Sequence, residues 1–135
     1  MECELELPWP PSVNHYKNIG RTVRTKSGKT YQQRVNSPET KMFYFRVWQK
    51  IRAAMALKPN WSGLESTIRY EVTVMLHPPH NRRYDVDNRL KVLLDSFVRG
   101  GLIKDDAQIT RLVVEKMSMI PEGKVIVRIK ELQCT

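Results

Sequence analysis

The sequence has little cysteine and no long hydrophobic run. Its two cysteines, Cys3 and Cys134, stand at opposite ends of the chain without a spacing that suggests zinc, and we expect reduced thiols. No apolar run approaches the roughly 20 residues that cross a membrane. Residues 1–7 alternate acidic and apolar side chains, unlike a signal peptide. We therefore expect a cytoplasmic protein that does not engage a membrane.

Acidic residues are scarce relative to basic ones. The chain has 14 Asp and Glu against 23 Lys and Arg, a formal net charge of +9. Such an excess is typical of proteins that bind a phosphate backbone. Charge alone also fits RNA or an anionic surface, so the motifs must decide. A length of 135 residues indicates one domain, 1–135, with a sizeable core.

Hydrophobic periodicity predicts an α+β domain. Strands are predicted at 2–7, 67–76, 109–118 and 124–131, a hairpin between 21 and 33, and helices at 38–57 and from 87 to about 100. Ser37 is placed to cap the first helix, and Gly100 to end the second. The last two strands are expected to pair as a closing hairpin. This order predicts a mixed β-sheet with two main helices packed on it.

Two further features concern surfaces. The second helix is predicted to bury an apolar stripe formed by Leu90, Leu93, Leu94, Phe97 and Val98. At the tip of the 21–33 hairpin, Lys26 and Lys29 flank a glycine turn and are predicted to contact DNA phosphates. The alternative is an ordinary solvated ribbon.

Two aspartates stand immediately before the second helix. Extended geometry would direct Asp85 and Asp87 to one side, and paired carboxylates suit Mg²⁺, which completes its shell with water and substrate phosphate. Arg82, Arg83 and Arg89 place phosphate-binding cations nearby. The alternative is structural, with Asp87 as a helix cap, Asp85 as a loop residue and Lys91 as a surface ion-pair partner. An EF-hand loop is excluded because position 90 is leucine, and a D-x-D-x-T phosphatase because position 89 is arginine.

Lys91 and Asp106 complete the candidate constellation. Asp87, Lys91 and Asp95 follow each other at intervals of four residues, so they share one helix stripe, and Lys91 can add charge beside the acids. Asp95 is more remote and is left out of the predicted site. After the helix, the turn at 100–101 is expected to bring Asp106 back towards the acid pair. A plain polar turn at 105–106 is the alternative.

Three segments together resemble one family. LPWPPSVN at 7–14, DVDNRLK at 85–91 and DDAQI at 105–109 resemble the RusA crossover junction endonucleases in order and separation. The resemblance implies a homodimer that binds a four-way branched DNA junction and makes paired symmetric cuts in recombination and repair. It implies one or two Mg²⁺ ions per site, held by Asp85, Asp87 and Asp106, with these aspartates and Lys91 catalytic.

The resemblance also bears on three neighbouring residues. Asn14 belongs to the N-terminal signature and is predicted to lie near the DNA. Asp105 is next to the matched aspartate and is at most a supporting group. Tyr84 stands where the family often has a basic residue, directly before the first aspartate. Two rival functions remain open: a non-catalytic junction or duplex binder, and a nuclease of the same chemistry acting on RNA or flap substrates.

Overall fold

The structure is a computed structural model that describes residues 1–12 and 17–132, with only the backbone described for 17–23 and 30–35. Asn14 and Cys134 therefore lie outside the described residues. No helix in the described part of the chain is long and apolar enough to span a membrane.

Within residues 1–12 and 17–132, six strands form two sheets. The main sheet has four strands in the order β1-β6-β4-β5, where the strands are β1 (Glu2–Leu7), β4 (Arg69–His77), β5 (Ile109–Lys116) and β6 (Lys124–Leu132). The other two, β2 (Lys17–Arg24) and β3 (Thr30–Asn36), pair antiparallel as a separate hairpin. Within the main sheet β4 and β5 run parallel, whereas β6 is antiparallel to β1 and β4. The predicted α+β domain with a mixed sheet is confirmed.

The predicted pairing of the last two strands is wrong. Both strands exist, but β4 lies between β5 and β6. β6 buries Val125, Val127 and Ile129 in alternation, as a central strand does, whereas β5 is mostly exposed. An inward side chain of β6 is buried most completely when a neighbouring strand lies on each side of β6. This strand therefore takes the position between β1 and β4.

Both helices begin and end close to where the sequence places them. Helix α1 is Pro38–Ala56, and the hydroxyl of Ser37 accepts a hydrogen bond from the amide of Thr40 at 3.2 Å. Helix α2 is Asp87–Arg99, with Gly100 at its C-terminal cap. The predicted stripe of α2 needs one correction: Val98 is exposed, and Val92 is buried with Leu93 and Phe97. The buried face of α2 is therefore shifted around the helix axis from the predicted face, away from Val98 and towards Val92.

One core joins the helices to one face of the main sheet. The alternating buried residues of β1, β4 and β6 form a single cluster with side chains of both helices, including Phe43, Val47, Ile51, Leu93 and Phe97. Full burial of such a side chain contributes about 1.5–3 kcal/mol. Cys3 belongs to this cluster, and burial raises the pKa of its thiol, which keeps it protonated and unreactive.

The connection from β4 through α2 to β5 determines where the acids lie. Because β4 and β5 are parallel, α2 must return the chain to the opposite end of the sheet before β5 begins. Asp85 and Asp87 follow the end of β4, whereas Asp106 begins the short 3₁₀ helix, Asp106–Gln108, that leads into β5. The two groups are therefore separated along the length of α2.

Candidate active site

Asp85 and Asp87 lie where the loop after β4 enters α2. Asp87 is the first residue of the helix, and both side chains are exposed. The preceding residue, Val86, occupies the cap position, and no side chain caps the first amides of α2. The interpretation of Asp87 as a helix cap is therefore wrong. Its negative charge still interacts favourably with the positive end of the helix dipole.

Neither of these carboxylates has a side-chain partner among the residues whose side chains the structure describes. The ion pairs within 4.0 Å that the described residues form all lie on strands of the main sheet. Asp85 opens onto a shallow pocket that Arg83, Asn88 and Arg89 also line. Two exposed, unpaired carboxylates beside basic side chains are available to a cation and to the phosphates that accompany it.

Lys91 lies on the same helix stripe as Asp87 and Asp95, as predicted. It is exposed, and it lies about 6 Å along the axis from each acid, at 1.5 Å per residue. It forms no ion pair within 4.0 Å with either of them in the described part of the chain. The alternative reading of Lys91 as a surface ion-pair partner is therefore not supported, and its ammonium group remains available near Asp87.

Asp105 has a structural role. It caps a short 3₁₀ helix, Asp106–Gln108, and its carboxylate accepts a hydrogen bond from the amide of Ala107 at 2.9 Å. The side chain of Gln108 accepts in return from the amide of Asp105 at 3.0 Å. The hydrogen bond from the amide of Ala107, followed by the hydrogen bond from the side chain of Asp106, lowers the pKa of Asp105. A carboxylate committed to this cap contributes little else.

Asp106 is the other acid of this turn, and it does not cap the 3₁₀ helix. Its pKa is raised, chiefly by the hydrogen bond it shares with Asp105, then by burial and by the negative charges of Asp105 and Asp95. A raised pKa means that these surroundings favour the protonated, neutral form of the Asp106 carboxyl. Asp106 lines a shallow pocket with Asp95, Arg99 and Lys104 near the C-terminal end of α2.

The structure does not gather the three predicted ligands around one point within a single chain. Among the described residues, no group of three or more acidic, histidine or cysteine side chains is arranged to hold a metal ion. Asp95, the neighbour of Asp106, is about 12 Å along the helix axis from Asp87. Asp85 and Asp87 nevertheless fit Mg²⁺ by themselves, because Mg²⁺ typically takes one or two protein carboxylates.

The predicted DNA contacts fall into two kinds. Arg82 and Arg83 are exposed in the loop before the acids, and Lys26 and Lys29 are exposed at the tip of the β2–β3 hairpin. Arg89 differs, because its guanidinium is half-buried and donates a hydrogen bond to the carbonyl oxygen of Pro10 at 2.7 Å. Burial lowers the pKa of Arg89. Its predicted contact with DNA stays a prediction.

Sequence reasoning missed the residues that pack around Tyr84. This side chain, directly before Asp85, contacts Trp9, His80 and Lys116. Burial raises the pKa of its hydroxyl, and the charge of Arg89 opposes the rise. The available signal was Tyr84 itself, a large aromatic residue between arginines and an aspartate, but its partners come from distant parts of the chain.

A basic α+β domain with unpaired carboxylates beside exposed arginines is typical of nucleases. Comparison with known proteins agrees: residues 8–130 match the family described as Endodeoxyribonuclease RusA. The chain belongs to the RusA family of endodeoxyribonucleases.

Individual relatives cover almost the whole chain. A protein of Enterobacteria phage 82 named crossover junction endodeoxyribonuclease rusA is 28% identical over 130 residues, which is 95% of this chain and 93% of the relative. The RusA protein of Escherichia coli K12 has the same identity and coverage. That of Shigella sonnei Ss046 is 31% identical over 130 residues, again with 95% and 93% covered.

Proposed function

We propose that the protein is a Mg²⁺-dependent endonuclease that resolves four-way DNA junctions by paired symmetric incisions, in DNA recombination and repair. The observation that carries the proposal is the pair of unpaired, exposed carboxylates, Asp85 and Asp87, beside Arg82 and Arg83 in a chain of the RusA family. The relatives named crossover junction endodeoxyribonucleases support the choice of a branched DNA substrate over RNA or flap substrates.

The aspartates, Lys91 and the arginines would have different roles in phosphodiester hydrolysis. Asp85, Asp87 and Asp106 would hold one or two Mg²⁺ ions, which supply positive charge to the phosphate that is cut. Lys91, one helical turn after Asp87, adds a second positive charge where negative charge develops in the transition state. Arg82 and Arg83 bind the phosphates beside the cut and so fix the strand relative to the acids.

Junction selectivity would come from shape rather than from base contacts. Basic side chains bind phosphates and thereby position a protein on DNA, but phosphates carry no sequence information. The hairpin tip with Lys26 and Lys29 belongs to a separate two-stranded sheet and would add its positive charge to that of Arg82 and Arg83. A surface of that kind can engage two arms of a junction at once.

A homodimer would explain both the symmetric cuts and the position of Asp106. Strand β5 is an edge of the main sheet, and Leu112, Met117 and Met119 expose apolar surface on it and just after it. An open edge of this kind favours pairing with another strand. A twofold axis through paired, antiparallel β5 strands would place the start of one strand beside the end of the other.

Such pairing would complete the acidic site between two chains. The end of β5 lies next to the acid loop, which is the segment 78–86 between β4 and α2. Lys116 Nζ donates a hydrogen bond to the carbonyl oxygen of Tyr84 in this loop at 2.6 Å. Asp106 of the partner subunit, which precedes the partner's β5, would therefore approach Asp85 and Asp87. Each dimer would contain two equivalent sites, one for each of the two opposed cuts.

Cleavage of a synthetic four-way junction tests the proposed function. We expect paired nicks at symmetric positions in two opposed strands with Mg²⁺, and no nicks with EDTA or on linear duplex of the same sequence. Labelling each of the four strands in turn and resolving the products on a denaturing gel gives the positions. Binding without cleavage at any Mg²⁺ concentration would instead identify a non-catalytic junction-binding protein.

The hairpin tip gives a second, quantitative prediction. If Lys26 and Lys29 each contact a phosphate, replacing both with alanine should weaken junction binding and reduce the slope of log affinity against log salt concentration by about 1.8, at about 0.9 per contact on duplex DNA. Binding in EDTA across a series of NaCl concentrations measures the slope. Replacing Lys41 and Lys50 of α1 is the matched control for lost charge, and an unchanged slope in the hairpin variant would identify a solvated ribbon.

A further inference from the structure

Three side chains contact the ring of Tyr84, a residue of the loop between β4 and α2. Its ring meets Trp9 edge to face with a centroid separation of 5.4 Å, and His80 in the same manner at 6.1 Å. The ammonium group of Lys116 lies 4.4 Å from the ring centroid. These partners come from the segment after β1, the loop after β4 and the end of β5. Three separate parts of the fold thus converge on the residue before Asp85.

The backbone at Tyr84 is fixed as well. Lys116 Nζ donates to the carbonyl oxygen of Tyr84 at 2.6 Å, and this carbonyl belongs to the peptide that leads into Asp85. A lysine that touches both the ring and the carbonyl of one residue restrains that residue's side chain and main chain together. The loop entering the acid pair is therefore tied to the last residue of β5.

The other side of the acid pair is anchored to the same tryptophan. Arg89, two residues after Asp87, places its guanidinium carbon 5.4 Å from the centroid of the Trp9 ring and donates to the carbonyl oxygen of Pro10. Tyr84 and Arg89 thus bracket residues 85–87, and both pack on Trp9. The acids lie in the short segment between two fixed points.

We propose that Tyr84 is a positioning residue whose ring sets the placement of Asp85 and Asp87 for the metal ion. The inference rests on the proposed function. The ring does the positioning, because its three contacts are made by the aromatic face and edges, whereas the buried hydroxyl has no hydrogen-bond partner among the described residues. Tyr84 is not a catalytic residue, since it acts through the acids that follow it.

The proposal predicts different effects for phenylalanine and for alanine at position 84. Tyr84→Ala should raise the Mg²⁺ concentration for half-maximal junction cleavage about tenfold or more, the usual effect of removing a group that orients metal ligands. Tyr84→Phe keeps the ring contacts and should behave as the parent protein. Affinity for the junction in EDTA should be the same in all three proteins, because no phosphate contact is removed.

Two readouts are independent of cleavage. Titration with Mn²⁺ followed by electron paramagnetic resonance should show weaker binding by Tyr84→Ala than by Tyr84→Phe. Hydrogen exchange of the peptide covering 81–90 should be faster in Tyr84→Ala, with β4 unchanged. Lys116→Met, which leaves the ring in place but removes its cation and the bond to the carbonyl, should change both readouts in the same direction by a smaller amount.

A stability control completes the test. Ile129→Val shortens a buried side chain of β6 away from the acid loop, so it should lower the unfolding temperature without altering Mn²⁺ binding. The proposal would be overturned if Tyr84→Ala and Tyr84→Phe bound Mn²⁺ with the same affinity, whether that affinity equals that of the parent protein or is reduced in both variants. If the parent protein binds Mn²⁺ but never cuts a junction, the proposed function fails while the role of Tyr84 is still decided by the other two readouts.

Discussion

Replacing Asp87 with asparagine is expected to lower the rate of junction cleavage by about a thousandfold, since a metal ion contributes several kcal/mol to the transition state and each 1.4 kcal/mol is a factor of ten. Asparagine keeps the size of the side chain but removes the charge that would hold the cation. Single-turnover cleavage of a labelled junction at saturating protein measures the effect on the chemical step without a contribution from binding.

Junction binding should survive this change. Asp87 is exposed and forms no hydrogen bond or ion pair with its side chain in the described part of the chain, so its loss leaves the fold and the arginines in place. Removing a negative charge from a surface that binds phosphates should leave affinity in EDTA unchanged or slightly higher. Loss of binding together with loss of folding would contradict the assignment.

Helix α1 supplies a matched control. Glu39 is likewise an exposed acid in the first turn of a helix, so Glu39→Gln removes a similar favourable interaction with the helix dipole. Its effect on stability should resemble that of Asp87→Asn, at most about 1 kcal/mol. Its effect on cleavage should be negligible. Equal loss of cleavage in both variants would indicate that stability rather than metal binding accounts for the defect.

Local signals in the sequence were sufficient for the helices but not for the sheet. Ser37 and Gly100 define helix ends through hydrogen bonds and backbone geometry that neighbouring residues decide. The pairing of β6 depends instead on which strands offer it buried neighbours. A short connection through 121–123 favours a hairpin on local grounds, and the gain from placing β6 between β1 and β4 outweighs that preference.

The candidate site likewise contains residues whose placement follows from local geometry and one residue whose placement depends on distant parts of the chain. Asp85, Asp87 and Lys91 lie within seven consecutive positions, so helix and strand geometry alone predicted that they share one side. Asp106 depends on the direction of β5, which is parallel to β4, and no local signal reports that direction. The expectation that a turn would return Asp106 to the acid pair is therefore not met within one chain, where no group of three possible ligands forms among the described residues.

Mixing two inactive variants tests whether the site is shared between chains. In a shared site, a dimer of one Asp87→Asn chain and one Asp106→Asn chain has one site with both changes and one site with neither. Random pairing makes about half of the dimers mixed, so about a quarter of the parental sites should be restored. Each variant alone should be inactive. A site built within one chain would lack an essential acid in every subunit, and mixing would restore nothing.

The products add a second criterion. A mixed dimer has only one working site, so it should nick one strand of the junction and should not release the paired products that two symmetric cuts give. Co-expression with two different affinity tags allows the mixed dimers to be isolated before the assay. Pairing Asp87→Asn with a chain that carries both substitutions is the control, since neither arrangement leaves it an intact site. Failure to isolate mixed dimers from the two tags would contradict the homodimer itself, whereas isolated mixed dimers without any nicking would indicate that each site takes Asp106 from the same chain as Asp87. An Asp106→Asn protein that cuts junctions on its own would instead place Asp106 outside the site and leave Asp85 and Asp87 to hold the metal ion alone.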